Sequence, residues 1–195
     1  MKRSLSHLPK RKREELKLVA QTIVEMVPAA QMIILFGSHP RERLGMAQAF
    51  FEQWLTFAES FLRQFEHAMR DKDYRIAAFL LHQGAENLYH GLLLVFTGYK
   101  PKLHNLEKLI RLTAPFGQQL LPVFPIITDK DRNRFLLLKR AYVEARYEPG
   151  FRINKEDLEY LAKRVQLLRE MVTMLCERRI ESYEKEAADW REHRA

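Results

Sequence analysis

AQAFFEQWLTFAESFLRQFEHAMRDKDYRIAAFLLHQGAENLYHGLLLVFTG, residues 47–98, decides the fold. Apolar side chains return every three to four positions at Ala47, Phe50/Phe51, Trp54, Phe57/Ala58, Phe61, Phe65 and Ala68/Met69. That is the period of an α-helix, not of a strand. Asp71-Lys72-Asp73 interrupts it. Ala77, Leu80/Leu81, Gly84/Ala85, Leu88, Leu92 and Val95 then resume it as far as Gly98. Two long helices joined by so short a polar turn must run antiparallel.

The same period continues toward the C-terminus. Gly98 to Leu103 reads as a loop, and Asn105 to Thr113 as a short helix with Leu106, Leu109 and Ile110 inward. Pro115 to Thr128 holds three prolines and reads as an ordered connection with one helical turn around Gln118. Thr128-Asp-Lys-Asp is a helix start with an acidic first turn. That helix carries Phe135, Leu138, Ala141/Tyr142 and Ala145, and stops before Pro149-Gly150. Asn154 caps the last helix, whose stripe is Leu158, Leu161, Val165, Leu168, Val172 and Leu175. The next heptad meets Arg179 and Ser182, so burial is expected to fade after Leu175. Residues 184–195 then form a charged helical tail, exposed or stabilised by a partner. The fold expected over residues 44–183 is all-α, an up-and-down helical bundle of four main helices plus one short helix.

Residues 1–43 read differently. Lys12 to Val27 is an amphipathic helix ended by Pro28, and Met32 to Phe36 is a short apolar strand running into Gly37-Ser38. A lone strand leaves amides and carbonyls unpaired and needs a partner edge.

Composition narrows the function. The chain has 195 residues, 47% hydrophobic, with only 7 Gly and 8 Pro, which suits one domain of long helices. The formal net charge is +8. Residues 1–17 hold seven Lys and Arg against two Glu, so much of the excess is local. This stretch is either a polyanion-binding surface or simply a solvated basic helix start. The lone Cys176 excludes an intramolecular disulfide and a cysteine-based zinc site. Leu18 to Val27 is interrupted by Gln21, Thr22 and Glu25, a poor signal-peptide core, and no apolar run approaches the ~18 residues of a membrane span. The expectation is a cytoplasmic protein without a membrane partner.

HQGAENLYHGLLLVFTGYKPKLHNLEKLI, His82 to Ile110, resembles the core of the HEPN domains (nucleotide-binding domains of higher eukaryotes and prokaryotes). Gln83 and Glu86 on a helix, a glycine turn, and His104, Leu106 and Leu109 stand at the matching positions. KRAYVEARYEPGFRI, Lys139 to Ile153, resembles the segment that carries the domain's polar Arg and Tyr residues. The N-terminal MIILFGS resembles the first strand and turn of a minimal nucleotidyltransferase domain, often fused ahead of such bundles. In that family an Asp-x-Asp pair follows to bind two magnesium ions, which require clustered carboxylates. Here the next aspartate after Ser38 is Asp71, so residues 1–43 read as a truncated remnant without transferase activity.

The resemblance implies homodimers with a polar groove, and a toxin–antitoxin-like pairing with a nucleotidyltransferase-type protein. Candidate ligand-binding residues are Arg140, Tyr142, Arg146 and Tyr147, with Glu86 and His90, and Lys100, Lys102 and His104 on the loop. An Arg can clamp a phosphate in a forked bond, and a Tyr can stack a base. The ligand expected is a nucleotide or an RNA phosphate, with no cofactor, no metal and no catalytic residue. Within the bundle, Glu86 is expected to pair with Arg140 or Arg146. Many HEPN domains resemble metal-independent ribonucleases with Arg, four to six residues, then His near the start of the last long helix. Arg140, Arg146 and Arg152 occupy that region, and no His follows before His193. Arg75 and His82 have the spacing on another helix, where Arg75 reads as a solvated turn residue. Two alternatives stay open: a ribonuclease using an atypical His82, His90 or His104, and a structural interaction module whose Arg residues are all paired internally.

Overall fold

The computed structural model describes residues 40–192, together with Lys10, Arg13, Glu14, Leu16, Lys17, Leu18 and Gln21, which are helical. The strand expected over Met32–Phe36, its Gly37-Ser38 turn and the rest of the helix expected over Lys12–Val27 lie outside the described residues. Five α-helices follow: α1 (Pro40–Arg70), α2 (Tyr74–Thr97), α3 (Leu106–Thr113), α4 (Asp129–Tyr147) and α5 (Lys155–Glu192). Two 3-10 turns, Ala114–Phe116 and Gln118–Val123, lie between α3 and α4 where one turn was expected. Among the described residues there is no strand. The architecture is the all-α bundle that the apolar period implies.

Each boundary has a local cause. Lys72 adopts the left-handed conformation (φ 60°) in the turn after α1, and Asp73 caps α2 by accepting from the Ile76 amide at 3.1 Å. Gly98, at φ 68°, closes α2, where a Cβ would be strained. Asn105 caps α3, accepting from the Lys108 amide at 3.0 Å. Thr128 and Asp131 form a reciprocal capping box at α4, and Asn154 caps α5 through the Asp157 amide at 2.7 Å.

α2 is the centre of the bundle. It is buried almost continuously from Leu81 to Val95, and its neighbours are α1, α3, α4 and α5. A helix apolar all round belongs in the middle, because every face must meet a partner. α1 approaches it closely at two glycines. A Cβ on Gly91 would lie 3.0 Å from Trp54 Cβ, an atom next to the backbone with little room to move. Gly91→Val is therefore expected to lower the unfolding free energy by about 2 kcal/mol through overpacking. Urea denaturation checks this; an unchanged midpoint would mean that α1 and α2 separate freely at Trp54.

α5 departs from expectation. The heptad stripe from Leu158 to Leu175 is buried, but burial does not end there. Cys176 (0% exposed), Tyr183 (3%) and Ala187 (3%) continue it, one position out of phase. An α-helix of 3.6 residues per turn drifts about 20° per heptad against a strict 3.5 repeat, so the inward face passes to the neighbouring positions. The end of the helix is fastened to the bundle. The Tyr183 hydroxyl donates to the Val95 carbonyl at 3.3 Å, Arg179 lies over the Tyr183 ring at 4.1 Å, and Arg43 of α1 meets Glu186 at 3.2 Å. The expected fading of burial after Leu175 is thus corrected at Cys176, Tyr183 and Ala187, while the other described residues after Tyr183 are exposed or half-buried.

Candidate functional site

Glu86 sits one helical turn from both His82 and His90 on α2, so the three side chains share a face. That face is buried: His82, Glu86 and His90 are 0%, 4% and 1% exposed. The loop after α2 brings a third imidazole, His104, whose Nδ1 donates to Glu86 Oε1 and Oε2 at 3.0 and 3.1 Å. His82 Nδ1 donates to the Leu138 carbonyl at 2.9 Å, while its Nε2 lies 3.3 Å from Glu86 Oε2, within ion-pair range but without hydrogen-bond geometry. His90 Nδ1 stands farther away, at 3.9 Å. Glu86 therefore pairs with imidazoles and not with Arg140 or Arg146. Burial pushes its carboxyl pKa up, but the His82 and His104 imidazoles outweigh this and hold it below the usual range. His90 is the opposite case. Burial drives it down to about 4, against the pull of Glu86, so it is a neutral imidazole packed edge-on to Trp54.

His104 alone of the three reaches solvent, with half its side chain exposed. Its ring stacks on Tyr142 of α4 at 4.3 Å and an interplanar angle of 12°. Arg146, one turn on, lies 4.5 Å from the same Tyr142 ring, donates Nε to the Tyr142 carbonyl at 2.7 Å, and is bracketed by Phe79 and Tyr147. A groove of 1010 Å³ opens beside this stack, between the loop at Lys102–Asn105, the outer side of α4, and the turn at Glu148–Arg152. A space of that size admits a nucleotide. Lys102, Lys139, Arg140 and Arg152 line it against Glu144 and Glu148, a cationic balance before His104 is counted. Lys139 is held by Glu107 at 2.7 Å and Arg140 by Glu144, with half of the Arg140 side chain exposed. Arg152 bends back onto the carbonyls of Pro149 and Phe151.

The sequence-derived residues thus divide. Lys102, His104, Arg140 and Tyr142 meet in the groove, with Glu86 directly behind His104. His90 is sealed in the core. Lys100 lies over the Trp54 ring at 5.1 Å. Arg146 and Tyr147 do not line the groove, and Tyr147 is two-thirds exposed. Lys139, Glu144, Glu148 and Arg152 also line the groove and are not among the sequence-derived candidates. Glu144 was readable as the i+4 partner of Arg140. Arg152 was not, because a Pro-Gly turn sets its direction. The Arg75 and His82 pair cannot act as a nuclease motif, since Arg75 donates to the Ala145 carbonyl and His82 to Leu138, both on α4. Arg75 is thereby a cross-link between helices and not a solvated turn residue.

Among the described residues, no group of three or more His, Cys, Asp and Glu is arranged to hold a metal ion, and no helix is long and apolar enough to cross a membrane. No curated protein matches the chain. The bundle carries an inward Glu86 on its second helix, a glycine turn at Gly98 and a histidine, His104, that returns to that Glu. The family model of the HEPN domain matches residues 51–179, and the chain belongs to the HEPN family.

Proposed function

We propose that the groove between the Lys102–Asn105 loop and α4 binds the phosphate of a nucleotide or of RNA, without catalysing a reaction on it. The observation that carries this is the convergence of Lys102, Arg140 and Arg152 on one open groove of nucleotide size. All three are exposed at the groove, where guanidinium and ammonium groups can hold a phosphate by charge-assisted hydrogen bonds. The family context for such a protein is a homodimer in a toxin–antitoxin-like pairing with a nucleotidyltransferase-type partner. The strand expected over Met32–Phe36 is an edge that such a partner, or a second copy, would extend. Sedimentation of the full chain as a monomer at tens of micromolar would remove the homodimer.

Calorimetry with ATP, GTP and a twelve-nucleotide oligouridylate tests the binding. Micromolar affinity is expected for at least one of them. Lys102→Ala and Arg152→Ala are each expected to weaken it about tenfold, the worth of one charge-assisted hydrogen bond. Equal affinity in wild type and both variants would place the ligand elsewhere.

A second reading, a metal-independent ribonuclease, is favoured by the Glu86–His104 contact. A carboxylate that holds Nδ1–H leaves Nε2 as the nitrogen able to take a proton from a 2′-hydroxyl, in a groove shared with Arg140. Release of 2′,3′-cyclic phosphate ends, abolished by His104→Ala and by a DNA substrate, would replace the non-catalytic reading with this one.

A further inference from the structure

His104 stands between a fixed anion and an open cationic groove. An imidazolium has two N–H donors, and an imidazole only one. The Nδ1 donor is committed to Glu86. The ring plane is set by the Tyr142 stack, so the orientation of the second nitrogen is set as well. Nε2 makes no hydrogen bond among the described residues.

The charged and titratable groups around the ring are disposed as follows. From α2 come Glu86, His82 and His90. From α4 come Tyr142, Lys139, Arg140 and Glu144, with Arg146 on the Tyr142 ring. The loop gives Lys102, and the turn before α5 gives Glu148 and Arg152. Glu86 is the anion against the ring, and Lys102, Lys139, Arg140, Arg146 and Arg152 are the cations about it. A phosphate entering the groove neutralises those cations and adds an acceptor for Nε2–H. Both changes shift the balance toward imidazolium.

We propose that binding of an RNA phosphodiester in this groove draws a proton onto His104, so that the affinity is coupled to pH. This rests on the phosphate-binding reading of the groove. The sign follows from the linkage: the bound form holds more protons, so affinity is greatest at acid pH and is lost as pH rises. Glu86 is the positioning residue, because its carboxylate keeps Nδ1–H turned inward.

The probe is a twelve-nucleotide oligouridylate without terminal phosphates, since its phosphodiesters do not titrate between pH 5 and pH 8. Calorimetry at pH 6.5 in PIPES and in imidazole, buffers of different ionisation enthalpy, reads proton uptake directly. A fractional uptake of up to one proton per site is expected, with about tenfold weaker binding at pH 7.5 than at pH 5.5. His104→Gln, at a half-exposed position, is expected to bind with no uptake and a flat pH profile. Glu86→Gln is expected to reduce uptake at pH 6.5. In the wild type, the His104 ring-proton NMR resonance should titrate at higher pH with RNA present. Binding without proton uptake, or the same uptake in His104→Gln, overturns the proposal and leaves phosphate binding intact. No binding at any pH overturns both.

Discussion

Glu86→Ala is expected to lower the unfolding free energy by about 3 kcal/mol, the usual cost of removing one partner from a buried charge cluster. The carboxylate is 4% exposed and accepts from His104 at 3.0 Å while facing His82 at 3.3 Å. Without it, His104 can turn to water, because half of its side chain is exposed. His82 cannot, because it is fully buried with its other nitrogen committed to the Leu138 carbonyl. Truncation therefore leaves a cavity and a buried imidazole nitrogen facing no charge. Glu86→Gln keeps the volume and one acceptor oxygen, and should cost about half as much. Urea denaturation at pH 7 with matched slopes checks both variants. Wild-type stability in Glu86→Ala would mean that the cluster contributes nothing to the fold.

Acid weakens the bundle through His90. Its folded-state pKa is about 4 against 6.5 for a free imidazole, with burial as the main cause. Below pH 6.5 the unfolded chain takes up a proton that the folded chain refuses until about pH 4. The contribution of His90 is therefore constant above pH 6.5 and is lost as the pH drops toward 4. The full gap corresponds to about 3 kcal/mol. Glu86 acts in the same direction at lower pH, since a depressed carboxyl pKa gives stability that is lost as pH falls through it. His90→Phe retains a ring against Trp54 and removes the titration. Urea midpoints of the two proteins between pH 7.5 and pH 4.5 test this. The wild type should lose more stability than the variant by about 2 kcal/mol over that range. Parallel curves would show that His90 takes up its proton as readily in the folded chain as in the unfolded one.

Much of the bundle was legible because helix periodicity and capping are local. Asp73, Asn105, Thr128 and Asn154 cap the helices that they precede, as their side chains require. The apolar stripes located the core along α1 and α2. The later course of α5 was less legible. Arg179 and Ser182 fall where a fixed heptad expects apolar residues, yet helical drift turns Tyr183 and Ala187 inward. A charged residue in a stripe marks its end only if the stripe holds its phase.

The site divides along the same line. Sequence alone determined which residues share a helix: Glu86 with His82 and His90, and Arg140 with Glu144, because i and i+4 positions are neighbours on any α-helix. It also marked His104 and Tyr142, as residues that resemble a family's polar positions. Only the tertiary structure decided that Glu86 meets imidazoles instead of arginines, that His104 stacks on Tyr142, and that His90 is sealed while His104 faces a groove. Those facts depend on how a loop after α2 returns across α4, and on a Pro-Gly turn that brings Arg152 back beside them. Helical spacing follows from the backbone of one segment. Contacts between segments follow from how the whole core closes, and no local pattern encodes them.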